Sequence, residues 1–157
     1  MSEDDVRGDF LPLMAEIEAG SWFDMNNPVH SQWLFERVSH RIGRGGQFYG
    51  LYLPDDTPLG LYCLLIETYP AFPGHAEILD IGIFQENRHN GHGRRLINDA
   101  AQRAAAGHAC CLYVSTYAGD SDAITFYAQT GFESVAELPG LNGPDDRGQK
   151  IMMKKIG

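Results

Sequence analysis

The chain has 157 residues, and its 12 Lys and Arg against 21 Asp and Glu give a formal net charge of −9. This length predicts one domain, spanning residues 1–157, with a core of its own. Hydrophobic residues make up 43% of the chain and charged residues 21%, which excludes a disordered chain, and the acid excess argues against a nucleic-acid partner.

The N-terminal half of the sequence predicts two helices followed by three strands. Apolar spacing and Pro28 at a first helical turn indicate the helices, and the turn residues 54–58 join the first two strands into an antiparallel hairpin. A second loop is expected over 69–74. The predicted elements in chain order are a helix over 10–17 that Gly20 ends, a helix from Pro28 to about 41 with Trp33, Leu34, Val38 and Ile42 on one face, and strands over 48–53, 59–67 and 75–84.

The C-terminal half alternates helix and strand. A helical stripe over 96–104 ends at Gly107, and Asp120 or Ser121 caps a second helix that runs to Thr130 before Gly131. The predicted strands cover 109–115, 132–138 and 149–155. The order α-α-β-β-β-α-β-α-β-β predicts a mixed α/β domain.

Targeting and redox signals point to the cytoplasm. No stretch approaches the about 20 apolar residues of a transmembrane helix, so no membrane partner is expected. The acidic N-terminus lacks the pattern of a signal peptide. Cys63, Cys110 and Cys111 are odd in number, with two of them adjacent, which is a poor disulfide framework. With His108, the adjacent pair is better explained as buried strand cysteines than as a metal site.

The most informative segment is the glycine-containing loop over residues 85–95, between a strong strand and a strong helix. Gly91 and Gly93 allow the backbone to curl so that its N–H groups and the helix N-terminus face one anion, typically a phosphate. A dinucleotide fingerprint is excluded because Leu96 occupies its third glycine position, and a P-loop is excluded because no Lys follows. A plain strand-to-helix turn stays the alternative.

Two motifs in this order resemble the GNAT superfamily of N-acetyltransferases. Arg88-x-x-Gly91-x-Gly93 is similar to the Q/R-x-x-G-x-G/A motif, whose loop amides bind the pyrophosphate of acetyl-coenzyme A (acetyl-CoA). The downstream pattern N-x-x-A-x-x-[FL]-Y-x-x-x-G-F has its counterpart in Asp120-x-x-Ala123-x-x-Phe126-Tyr127-x-x-x-Gly131-Phe132, with Asp in place of the usual Asn. The likeness covers residues 75–135, and residues 76–93 resemble GNAT histone acetyltransferases without a gap.

The resemblance implies the acyl-CoA N-acyltransferase fold, a central, mostly antiparallel twisted sheet flanked by helices. It also implies acetyl-CoA as co-substrate, no metal, and direct acetyl transfer in a ternary complex to a primary amine of a small molecule or peptide. Main-chain groups near Ile81 to Ile83 are expected beside the acetyl group. The residues implied in cofactor binding are Ile81, Gly82, Ile83, Arg88, His89, Asn90, Gly91, His92, Gly93, Arg94, Asp120 and Phe126.

Two residues are candidates for the proton transfers that this reaction needs. An amine like that of Lys has a pKa of about 10.4, so a base must remove its proton at neutral pH, and the leaving thiolate gains from an acid. The resemblance implies Glu77, eleven residues before Arg88, as the base, with Asp80 and Asp24 as rivals and Asp120, near the thiol end in the family geometry, as a further alternative. It implies Tyr127 as the acid. A solvent-facing strand Glu and a core Tyr are the structural alternatives.

The acceptor itself stays open. The acid excess favours a cationic amine. Trp22, Phe23, Tyr69 and Phe72 lie in loops that wall the acceptor site in this family, although aromatic residues there also cover a core. A non-catalytic acyl-CoA-binding or sensor module on the same fold is the alternative function, and a homodimer stays open as a partner.

Overall fold

The computed structural model describes residues 1–19, 23–69, 72–141, 143 and 146–157, with only the backbone at 69, 72 and 73. Trp22 and the side chains of Tyr69 and Phe72, expected to wall the acceptor site, therefore lie outside the described part. The helices are α1 Glu3–Asp9, α2 Leu11–Glu18, α3 Pro28–Gly43, α4 His92–Ala106 and α5 Ser121–Gln129. The strands are β1 Gln47–Tyr52, β2 Pro58–Tyr69, β3 Phe72–Ile83, β4 Ala109–Tyr117, β5 Glu133–Leu138 and β6 Gln149–Lys155.

The six strands form one sheet in the order β1-β2-β3-β4-β6-β5. The β1–β2, β4–β6 and β5–β6 pairs are antiparallel, whereas β3 and β4 are parallel. A parallel pair needs a crossover connection, and α4 supplies it between β3 and β4. The predicted mixed α/β architecture with a mostly antiparallel sheet is confirmed.

The chain divides into two compact units, the first made of Met1–Leu65 and Leu79–Asn98. Its core joins apolar side chains of α1, α2 and α3 to β1 and β2. Phe10 packs its ring 5.4 Å from Tyr52 and 6.2 Å from Phe84. A Cβ on Gly50 would lie 3.1 Å from the Phe10 ring, so this close packing needs a glycine there. The buried cluster comprises Val6, Phe10, Leu13, Met14, Ala15, Leu34, Val38, Phe48, Leu61 and Cys63.

The second unit is made of Ile66–Ile78 and Asp99–Gly157. Along β4, Leu112 and Val114 are buried whereas Tyr113 is half-buried and Ser115 exposed, the alternation of a strand with one covered face. The buried side chains of this unit include Ala76, Ile78, Ala100, Ala104, Ala109, Leu112, Val114, Tyr127, Phe132 and Met152. Burial of each large apolar side chain contributes about 1.5–3 kcal/mol.

Three local predictions were wrong. Helix α1 was not predicted because only Val6 is buried in it, although Ser2 and Asp5 form a capping box. The predicted loop over 69–74 includes Gly74 and other residues that extend β2 and β3. Ile42 is exposed rather than on the packed face of α3. In the described part of the chain, no helix has the length and apolar character needed to cross a membrane.

Candidate functional site

The loop that follows β3 turns tightly into α4, and Gly93 lies inside the first turn of that helix. After a single 3₁₀ turn, His89 (φ 62°) and Gly91 (φ 81°) adopt left-handed conformations, and α4 begins at His92. The Arg95 N–H donates to the Gly91 carbonyl at 3.2 Å. The N–H groups before Arg95 in this first turn have no intrahelical acceptor, because a helix leaves its first donors unpaired.

The start of α4 fits an anionic group such as a pyrophosphate. A Cβ on Gly91 would meet no atom of the described residues within 4 Å, so the described part of the chain leaves the backbone there open to approach. Arg94 and Arg95 are exposed in the first turn, where they oppose the positive end of the helix dipole unless an anion is present. The buried Nδ1 of His92 makes no hydrogen bond within the described part of the chain. Each of these features favours an anion at this turn.

Arg88 ties the loop to the body of the first unit. Its Nε donates to the Ile83 carbonyl at 3.0 Å, and its Nη2 bonds to Glu16 of α2. These contacts direct the guanidinium toward the end of β3 and toward α2. The side chain therefore positions the loop, while His89 and Asn90 are exposed beside it.

The end of β3 approaches α2 closely. A Cβ on Gly82 would lie 2.7 Å from the Ile17 side chain, a distance that van der Waals contact forbids. Gly82 therefore leaves room for α2, and its neighbours Ile81 and Ile83 are half-buried and buried.

Glu77 lies in the second unit, in the middle of β3. It pairs in register with Tyr113 of β4 and is half-buried, on the opposite face of the strand from the buried Ala76 and Ile78. No ion pair or side-chain hydrogen bond joins Glu77 to another residue of the described ranges. Its carboxylate is thus not committed to a structural contact there.

The two rival carboxylates are differently engaged. Asp80 has a side chain only 2% exposed and receives a bidentate contact from Arg41, at 3.1 and 3.3 Å. Burial and the neighbouring Glu18 raise the pKa of Asp80 to about 7. Asp24 is exposed in a turn, where its carboxylate accepts the Asn26 N–H at 2.9 Å. The buried Asp80 carboxylate is therefore held by Arg41, whereas the exposed Asp24 carboxylate stabilises a turn.

The second motif forms α5 and its surroundings. Asp120 caps the helix by accepting the Ala123 N–H at 3.0 Å, which accounts physically for a carboxylate in place of the usual Asn. Tyr127 is 6% exposed, and its ring packs 5.4 Å from half-buried Phe126 and 5.5 Å from Phe132. Gly131 follows the helix at φ 94°. The aromatic packing fixes the orientation of the Tyr127 ring.

The cysteines correct one expectation. Cys63 is buried, but Cys111 is half-buried and Cys110 exposed, with their Sγ atoms 3.9 Å apart. The β3–β4 register pairs Gly74 with Ala109 and His75 with Cys111, so Cys110 is the extra residue of a bulge and does not face the core. Within the described ranges, no three His, Cys, Asp or Glu side chains lie together as metal ligands do.

The fold and the loop define an α/β protein that presents the start of a helix to an anionic ligand. The chain belongs to the acetyltransferase (GNAT) family, whose model matches residues 11–132. The class of reaction is therefore acyl transfer. The comparison with curated proteins gives no match.

Solved structures of similar fold include acetyltransferases, some of them in complex with CoA. A Bacillus subtilis acetyltransferase in complex with CoA is 22% identical, with a TM-score of 0.63 over 78% of this chain and 84% of that one. The Bacillus cereus IAA acetyltransferase is 17% identical, with a TM-score of 0.70 over 99% and 96%. Arabidopsis thaliana Naa50 in complex with the bisubstrate analogue CoA-Ac-MVNAL is 22% identical, with a TM-score of 0.57 over 64% and 68%. These similarities support the fold.

Two side-chain networks were not predicted from the sequence. One is the buried cluster of Asp80, Arg41 and Glu18 in the first unit. The other, in the second unit, is the pair between Glu67 of β2 and His75 of β3, whose Oε2 and Nε2 atoms lie 2.8 Å apart. No sequence motif signals either network, because each joins different elements of the fold.

Proposed function

We propose that this protein is an acetyl-CoA-dependent N-acetyltransferase that transfers an acetyl group directly to a primary amine in a ternary complex. The observation that carries the proposal is the open, left-handed Gly91 turn at the start of α4, in a chain of the GNAT family. Its backbone N–H groups and the helix dipole neutralise the pyrophosphate of CoA. Because this turn is locally positive, a phosphate ligand can bind here although the chain as a whole has a net charge of −9.

The proposed coenzyme site uses backbone more than side chains. Residues 89–94 offer N–H groups to the pyrophosphate, and the main chain of Ile81 to Ile83 lies beside the acetyl group and pantetheine arm. Arg88 acts by holding the loop in place through the Ile83 carbonyl. Asp120 and Phe126 belong to the thiol end of the site by the GNAT motif that they match.

In the proposed reaction, the amine nitrogen attacks the thioester carbonyl, and the carbon–sulfur bond breaks as the amide bond forms. Glu77 accepts the proton that the amine loses, directly or through water. Tyr127 donates its hydroxyl proton to the departing CoA thiolate, whose pKa is about 8.5. Backbone N–H groups stabilise the negatively charged carbonyl oxygen that forms after the amine attacks and before the carbon–sulfur bond breaks.

Replacement of Gly91 by Ala tests the coenzyme site. Acetyl-CoA at about 100 times its Kd stabilises the fold by about 2.7 kcal/mol, so it raises the melting temperature of the wild-type protein. We expect Gly91→Ala to lose most of this rise, because the new Cβ occupies the space of the phosphate and opposes the left-handed backbone. The measurement is thermal unfolding with and without acetyl-CoA.

Gly143→Ala is the matched control for this experiment. Gly143 also has a positive φ, 120°, and a Cβ there would meet no atom of the described residues within 4 Å, so its replacement also strains a positive-φ backbone, outside the loop. It should retain the full acetyl-CoA shift. A wild-type protein that does not respond to acetyl-CoA contradicts the proposal. If acetyl-CoA binds but no amine of a panel causes release of CoA thiol, the result favours the non-catalytic sensor module. Parallel lines in initial-velocity plots would argue against direct transfer in a ternary complex.

Tyr127→Phe tests the proposed acid. The ring packing against Phe126 and Phe132 is retained, so stability and the acetyl-CoA shift should stay near those of wild type. We expect kcat to fall by about 10²-fold, because the thiolate then leaves without a proton. Tyr117→Phe, which removes an exposed hydroxyl from the same unit, is the control. Unchanged turnover in Tyr127→Phe removes the hydroxyl from the mechanism.

A further inference from the structure

A row of polar side chains crosses three strands on the face of the sheet that carries Glu77. The row consists of Glu67 on β2, His75 and Glu77 on β3, and Tyr113 on β4, all in the second unit. None of them is buried, and the Glu67 and His75 side chains are 45% and 37% exposed. The Glu67 and His75 end of the row is therefore accessible from solvent.

The register explains why these side chains share a face. His75 and Glu77 are two residues apart on one strand, so they point to the same side about 7 Å from each other. Tyr113 pairs with Glu77, and its ring is perpendicular to the His75 imidazole with the centroids 5.9 Å apart. Glu67 then reaches His75 from the neighbouring strand at 2.8 Å. The result is two carboxylates on neighbouring strands, with the His75 imidazole and the Tyr113 ring beside them.

The charge of the row suits a cation. Glu67 and Glu77 contribute two negative charges, and His75 offsets at most one of them when it is protonated. A cation on a neighbouring strand is Lys155 of β6, which is exposed and pairs in register with Cys111 rather than with Tyr113. An exposed lysine in high dielectric repels a second cation only weakly. Tyr113 adds a ring face that attracts ammonium groups.

We propose that this row selects acceptors with a second cationic group, namely aliphatic diamines and longer polyamines. The inference rests on the proposed function. The reacting nitrogen lies at Glu77 beside the Tyr113 ring, and the distal ammonium lies at the exposed Glu67 carboxylate of the Glu67–His75 pair. A monoamine gains only the first contact, so the distal ammonium lowers KM more than it changes kcat.

The test compares 1,4-diaminobutane with butylamine as acceptors of the wild-type protein and of Glu67→Gln. A half-exposed ion pair changes affinity by up to about fivefold, so we expect a preference of about that size for the diamine in the wild type. Glu67→Gln should raise KM for the diamine about fivefold, while kcat and the KM for butylamine stay unchanged. Glu137→Gln removes an equal charge from exposed β5, where Glu137 pairs with Lys150, and should change neither KM.

Equal KM values for the two amines in the wild type overturn the inference, and so do equal effects of Glu67→Gln and Glu137→Gln, since those would reflect net charge alone. Acetylation of neither amine also overturns it. The acetyl-CoA-dependent rise in melting temperature then decides separately whether the proposed coenzyme site stands. A diamine preference that Glu67→Gln alone abolishes supports the inference.

Discussion

Replacement of Arg41 by Met is expected to lower the free energy of unfolding by about 3–5 kcal/mol, the cost of leaving a buried charge without its partner. Arg41 lies between two carboxylates, contacting Asp80 at 3.1 Å and Glu18 at 3.1 Å. The Asp80 and Glu18 side chains are 2% and 6% exposed, so water cannot replace the guanidinium. Methionine fills much of the space but offers no donors.

The protonation of this cluster gives the effect a pH dependence. Burial, together with Glu18, raises the pKa of Asp80 to about 7. For Glu18, burial also acts upward, but hydrogen bonds with Asp80 and Arg37 outweigh it, so its pKa is lowered. A raised folded-state pKa means that the protonated form of Asp80 favours the fold, and this contribution falls as pH rises through about 7. Arg41→Met should therefore lower the free energy of unfolding more at pH 8, where Asp80 is charged, than at pH 5.5.

Urea unfolding at these two pH values measures the prediction, with Arg37→Met as the matched control. Arg37 also contacts Glu18, at 3.0 Å, but its side chain is 41% exposed against 16% for Arg41. Its removal leaves Glu18 paired with Arg41, and we expect a loss of about 1 kcal/mol or less. Equal losses in the two variants would show that burial does not govern this network.

Glu77→Gln is expected to lower kcat with an amine acceptor by about 10²–10⁴-fold, the range of a general base. The amide has the shape of the carboxylate but accepts no proton at working pH. Acetyl-CoA binding should be unchanged, because the proposed loop site does not include this side chain. Steady-state release of CoA thiol measures kcat, and thermal unfolding with acetyl-CoA measures binding.

The pH dependence distinguishes the loss of a base from the loss of an acceptor contact. An amine with a pKa of about 10.4 loses its proton to solvent as the pH rises, so the ratio of wild-type to variant kcat should decrease toward pH 10. A contact without a proton-transfer role would give a constant ratio. Glu133→Gln removes a carboxylate from the exposed start of β5 and should leave kcat as in the wild type. Wild-type kcat in Glu77→Gln removes Glu77 as the base.

Elements formed by local contacts were well predicted. Helix α3 begins at Pro28 and α5 begins after Asp120, because a fixed proline φ and a capping carboxylate act on the next few residues. The Gly91 turn was predicted for the same reason. Helix α1 is the exception, since its capping box is local but its single buried residue gives no apolar periodicity.

By itself, the sequence determined the family, the α/β class and the tight turn at Gly91, since each depends on residues that are near one another in the chain. Only the tertiary structure decided which carboxylates are engaged. Arg41 and Asp80 are 39 residues apart, and Glu67 meets His75 only through the sheet register. Their charges are the same in any conformation, but burial and proximity come from packing of distant segments. Hence the fold encloses Asp80 with Arg41 and leaves Glu77 half-buried beside Tyr113.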